Sequence, residues 1–238
     1  MIGRGAIFAA ALLLGVLPAL ADPPAASFEV APTTIDLVPG TPGLFYIANR
    51  GEAPVSIQIQ TMDWHQTGNA DSLAPSETLY ASPPLVNVAP AERQTVRLLA
   101  DPAEPSRESE YRLIVSQLSQ GAMNGTAVRV LLQFSIPVFV SANKATPPDV
   151  VWSAACHDGI LEISARNDGG DALKLTGMRV SAADEKPVPV TNGLAYVLPG
   201  ATRSWRIAST GTSTASVHLT THDERSGVTL DTDIVLQR

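Results

Sequence analysis

The 238-residue chain holds one cysteine, so no disulfide can form within it, and with only four histidines it lacks the thiolates and imidazoles of a structural zinc cluster. Lysine and arginine number 16 against 23 aspartates and glutamates, a net charge of −7. That balance argues against a general nucleic-acid binder, because neutralising phosphates needs concentrated cations. No apolar run reaches the roughly 20 residues of a spanning helix, so no stable membrane insertion is expected. No stretch of twelve or more residues repeats apolar positions at helical spacing. Catalytic signatures are missing too: there is no nucleophile elbow, no phosphate loop and no pair of carboxylates at a recognisable spacing, so an enzyme is not expected.

What is present is an apolar fraction of 45%, ample for a packed core in one or two domains. The amino terminus has the layout of a cleaved secretory signal. Arg4 precedes an apolar run from Ala6 to Leu17, and Ala19-Leu20-Ala21 is a small-x-small cleavage site before Asp22-Pro23-Pro24. Residues 1–21 are therefore read as a signal peptide, and the remainder as an exported acidic protein.

Period-two alternation dominates the rest, which predicts strands. Val55, Ile57 and Ile59 alternate, and Met62 and Trp64 continue on the opposite parity, which suggests a bulge near Gln60-Thr61. Turn signals at Pro39-Gly40, Asn49-Arg50-Gly51, Asn167-Asp168-Gly169, Asn192-Gly193 and Pro199-Gly200 separate the runs. Strand-like runs fall on either side of the Pro-, Lys- and Ala-containing segment 142–148. The expectation is an all-β protein of two immunoglobulin-like sandwiches, 22–141 and 149–238, joined by that linker.

Two pairs of residues invite a metal or redox reading. His218 and His222 are four apart, a spacing for two ligands on a helix but not on a strand and its following turn. Cys156-His157 lacks the second histidine and methionine of a copper loop, and no nearby base would activate the thiol. Neither is expected to bind metal.

The longest strand-like run is 126–140, in which Val128, Val130, Leu132, Phe134 and Ile136 form one apolar row. Two readings are open. The row could face the core of a central strand, as in a two-domain structural or adhesive surface protein. Alternatively it is presented to a partner by strand addition, where main-chain bonds give affinity and alternate side chains fill pockets.

Several motifs around this run resemble one family. Ala81-Ser82-Pro83-Pro84, the stretch from Val88 to Arg97, the Arg107-Glu108-Ser109-Glu110-Tyr111-Arg112-Leu113 strand and Ser135-Ile136-Pro137-Val138-Phe139-Val140 follow in the order and spacing of the periplasmic pilus-assembly chaperones of the PapD-like superfamily, nearest to the archaic branch. The resemblance implies an L-shaped pair of sandwiches that lends a donor strand to an incomplete pilin-like subunit in the periplasm and passes it to an outer-membrane usher, with no nucleotide or other cofactor. The donor residues would be Val128, Val130 and Leu132, extended by Phe134. The resemblance leaves open whether the free chain self-associates to hide that strand.

Many relatives anchor the subunit's terminal carboxylate with an arginine on the first strand and a lysine late in the donor strand. Here Thr34 or Ile35 and Pro137 occupy those neighbourhoods. Arg112 is the candidate replacement, with an ordinary surface or interdomain arginine as the alternative; Arg97 and Arg129 are weaker candidates. The arginine that pairs with an interdomain glutamate in some relatives is also absent from its usual place, since Ser141 stands opposite Glu108.

Overall fold

In the computed structural model, residues 27–101, 107–119, 130–141, 146–182, 186–191, 193–208 and 215–237 are described. All regular structure among them is β. The first half contributes β1 (Phe28–Ala31), β2 (Ile35–Leu37), β3 (Gly43–Asn49), β4 (Val55–Thr67), β5 (Ala70–Pro75), β6 (Leu79–Ser82), β7 (Leu85–Val88), β8 (Arg93–Ala100), β9 (Ser109–Gln117) and β10 (Gln133–Val140). The second contributes β11 (Val150–His157), β12 (Ile160–Asn167), β13 (Leu173–Ser181), β14 (Val188–Pro189), β15 (Ala195–Val197), β16 (Thr202–Ala208), β17 (Ser216–Asp223) and β18 (Val228–Gln237).

A sheet ordered β1-β3-β8-β6 packs on one ordered β2-β10-β9-β4-β5, with β7 also on β4. The alternating residues predict which faces meet: Phe45 and Ile47, Val96 and Leu98, Ile57 and Ile59, and Leu113 and Val115 are all buried in one core. The second sandwich is built from a continuous sheet ordered β14-β13-β17-β18-β11-β12-β16, closed around Ile163, Leu175, Met178 and Leu219. Two immunoglobulin-like domains result.

The bulge expected near Gln60-Thr61 does not occur. β4 pairs with β9 in unbroken register from Ile57 opposite Gln117 to Asp63 opposite Tyr111. The parity changes because the buried face changes: up to Ile59 the odd residues enter the first core, whereas Trp64, on the even face, is buried against the second domain. A register defect occurs instead in β13, between Thr176 and Arg179, where Gly177 adopts φ +61°.

Both sandwiches use the same corner. Asn49 Nδ2 donates to the carbonyls of Ala53 and Val88, and its Oδ1 accepts from Gly51 N–H. Asn167 repeats this with Asp171, Val197 and Gly169. Each fully buried amide thereby satisfies the backbone of a turn that could not pair in a ladder. Gly169 has a further reason to be glycine: a Cβ there would lie 2.2 Å from the Pro147 carbonyl of the incoming linker.

Candidate functional site

β10 is central at one end and an edge at the other. It pairs antiparallel with β9 from Gln133 to Val140, but β2 covers its other side only at Val138, Phe139 and Val140. From Gln133 to Pro137 that second edge has no strand partner among the described residues, so its main-chain groups are available for pairing. The apolar row divides at the same place. Ile136, Val138 and Val140 are buried in the first core; Phe134 and Leu132 are half-buried against it, and Val130 is 77% exposed. Phe134 meets Phe28 edge-on at 5.2 Å between ring centroids. Leu132 is tethered to the end of β9, its carbonyl accepting from Gln117 N–H and its N–H donating to Gln117 Oε1. The strand is thus central at 138–140 and an edge at 133–137, and the row is fully buried from Ile136 onward but only half-buried at Leu132 and Phe134. Val128 and Arg129 lie outside the described residues.

The outer face of the same sheet meets the second domain. Trp64 and Phe139 form a buried cluster with Ala172, Tyr196, Leu198 and Ala201, and the Trp64 and Tyr196 rings meet edge-on at 5.2 Å. Arg112 lies on β9 directly opposite Pro137 of β10. Its guanidinium carbon stands 3.7 Å above the Trp64 ring and 5.2 Å from that of Tyr196. Burial pushes its pKa below the usual arginine range. Among the described residues its guanidinium makes no hydrogen bond or ion pair, and nearby Asp71 is engaged by Arg203 at 2.6 Å. Ile35 is buried in the core, and Thr34 accepts a long 3.5 Å hydrogen bond from Lys174 of the second domain.

The glutamate between the domains does have an arginine, supplied from elsewhere in the chain. Arg225, in the turn between β17 and β18, donates Nη1 and Nη2 to the two Glu108 carboxylate oxygens at 2.6 and 2.7 Å. Ser141 Oγ and Ala172 N–H complete the carboxylate's partners at 2.9 Å each. Arg225 also reaches Asp36 at 3.1 Å and stacks over Phe139 at 4.2 Å. Around this latch, Arg107 donates to the Pro199 carbonyl, and Gln66 pairs with Tyr196 and Leu198 as an additional strand would.

With this geometry in place, residues 28–145, about half of the chain, match the family described as pili and flagellar-assembly chaperone, PapD N-terminal domain. The chain belongs to the PapD-like pilus chaperones. This is a family of periplasmic chaperones without enzymatic activity. Three solved structures are similar over nearly their whole length. A chain from the CsuC–CsuE chaperone–tip adhesion subunit pre-assembly complex of the archaic Csu pili of Acinetobacter baumannii shares 20% identity at a TM-score of 0.68, covering 90% of this chain and 100% of that one. The E. coli chaperone DraB shares 16% identity at 0.63, covering 90% and 98%. A chain from the Salmonella enterica SafA pilin complex with the SafB chaperone shares 14% at 0.62, covering 88% and 96%. No curated protein is a significant match to the sequence.

In this chaperone the remaining candidates are dispersed. His218 and His222 are both on β17, the first between Asp231 and Asp233 of β18 and the second beside Thr229, and Cys156 is half-buried on β11. Among the described residues no cluster of three or more potential ligands could hold a metal ion. Beside the latch, a cavity of about 390 Å³ is lined by Asp63, His65, Arg107, Glu108, Glu110 and Tyr111, among others. Burial, and after it the Glu108 charge, raise the Glu110 pKa to about 8, and Glu110 Oε1 is buried with no partner.

Sequence reasoning missed Arg225, Trp64 and Tyr196 as parts of the interface. The shift of apolar parity at Met62 and Trp64 was the available signal for Trp64. Nothing local distinguishes Arg225 from any arginine in a polar turn.

Proposed function

We infer that this protein is exported by its amino-terminal signal and captures incompletely folded pilin-like subunits by lending them the exposed half of β10, then delivers them to an outer-membrane usher. The observation that carries this is the division of one strand: its second edge is covered by β2 at 138–140 and has no partner among the described residues at 133–137, while the apolar row passes from buried Ile136 to Val130, which is 77% exposed. Val130, Leu132 and Phe134, with Val128 upstream, fill the subunit's missing positions. Burying exposed Val130 contributes about 1.5 kcal/mol or more before ordering costs, and Leu132 and Phe134, already half-buried, contribute less than their full side chains would. The energy of assembly resides in the unfinished subunit, so the chaperone needs no cofactor.

Arg112 is the carboxylate anchor in this reading. A desolvated cation lacking a counter-ion favours an incoming carboxylate, and its place opposite Pro137 puts it one strand from the family's lysine position. The test is affinity capture of the mature, tagged protein from the periplasm of its host, comparing wild type with Val130→Asp. A small β-rich secreted subunit should be recovered with wild type alone, and the variant should fold normally because the side chain is exposed. Equal recovery, or no partner while subunits are expressed, would favour a structural or adhesive two-domain protein.

A further inference from the structure

The Arg112 side chain is held by both domains at once. Trp64 comes from β4 of the first sandwich and Tyr196 from β15 of the second, and their rings are edge-on to each other with the guanidinium over the Trp64 face. A guanidinium stacked on an aromatic ring is attracted through its face, which leaves its in-plane N–H donors free. The stacking therefore fixes the position of the cation without using the groups that recognise a carboxylate. Trp64 Nε1 is also buried and has no acceptor among the described residues. The nearby acid, Asp71, makes no hydrogen bond to Arg112; its Oδ1 accepts from Arg203 and Gln66.

Resting on the anchor reading above, we propose that Trp64 and Tyr196 are positioning residues that form a two-domain aromatic cage, keeping Arg112 unpaired and oriented for a terminal carboxylate. Capture of a chain end then depends on the second domain, although the donor strand belongs wholly to the first. A second contact between the domains supports this by fixing where Tyr196 stands: Gln66 of β4 donates to the Tyr196 carbonyl and accepts from Leu198 N–H.

The test uses the full mature chain and two fluorescein-labelled 16-residue peptides of alternating valine and threonine, identical except that one ends in a free carboxylate and the other in a carboxamide. Binding is followed by fluorescence anisotropy, and the measured quantity is the carboxylate-to-amide affinity ratio. Wild type should prefer the carboxylate about tenfold or more, the size of one charge-assisted hydrogen bond, and Arg112→Ala should bring the ratio near one. Tyr196→Leu keeps the cluster filled but removes the ring; it should lower the ratio about three- to tenfold with the affinity for the amide unchanged. Tyr196→Phe should restore the wild-type ratio. Trp64→Leu makes the same comparison from the first domain, should either variant fold poorly. A wild-type ratio retained in both leucine variants would overturn the cage and leave the anchor standing. No preference in wild type would remove the anchor, and the cage with it.

Discussion

Replacing Arg225 with alanine would remove both guanidinium bonds from a carboxylate with no exposed side-chain surface. Glu108 would retain only the Ser141 hydroxyl and the Ala172 amide, two neutral donors facing a full negative charge. Breaking a buried pair from one side typically costs about 3–5 kcal/mol, because the remaining charge stays desolvated. Arg225 is about one-fifth exposed and water can replace part of it, so roughly 2–4 kcal/mol is expected here. An exposed pair would yield about 1 kcal/mol or less, so the two cases are separable. Urea unfolding of the mature protein measures the loss, and a cycle with Glu108→Gln isolates the pair. Glu108→Gln alone trades the charge for an amide, and in the double variant it should recover much of the loss from Arg225→Ala. A loss below about 1 kcal/mol for Arg225→Ala, or strict additivity in the cycle, would refute the claim that a buried, doubly bonded ion pair joins the domains.

Glu110 makes a prediction about pH. Its folded pKa, raised to about 8, lies above its unfolded value, so the folded state holds a proton that the unfolded state releases. The stabilisation is complete below about pH 4 and is lost as pH rises, with a slope of up to about 1.4 kcal/mol per unit, until pH passes about 8. Glu110→Gln should flatten this part of the profile and be the more stable protein at pH 9, as followed by urea unfolding from pH 5 to 9. The matched turns of the two domains give a test of sign. Ala91 and Gly200 occupy equivalent places after Pro90 and Pro199, with φ of +61° and +73°. Ala91→Gly should stabilise by up to about 1 kcal/mol, and Gly200→Ala should destabilise by about 1–2 kcal/mol, both measured by chemical denaturation. In Gly200→Ala the new methyl would also crowd the Arg107 guanidinium, 3.3 Å from the added Cβ.

The two-sandwich architecture was legible in the chain because strand alternation and turn residues are local signals. Ile57 and Ile59, Leu113 and Val115, and Leu161 and Ile163 all enter the cores that their spacing predicts. The Asn-x-Gly turns were visible too, although as turns and not as the buried amides that support each domain's corner. The row at 126–140 and the motifs around it were sufficient for the family.

Where the row changes from core to edge was not legible, because Phe134 and Ile136 carry the same chemistry. The difference arises from β2, three residues long, which covers β10 only at 138–140. The domain interface was hidden for the same reason. Glu108 and Arg225 are separated by 117 positions, and Arg112, Trp64 and Tyr196 lie on three different strands. Alternation reports which side of a strand is apolar, and thus which residues can be buried. Only the packing of one sandwich against the other decides which cation is left without an anion, because that depends on distances between groups the sequence keeps far apart.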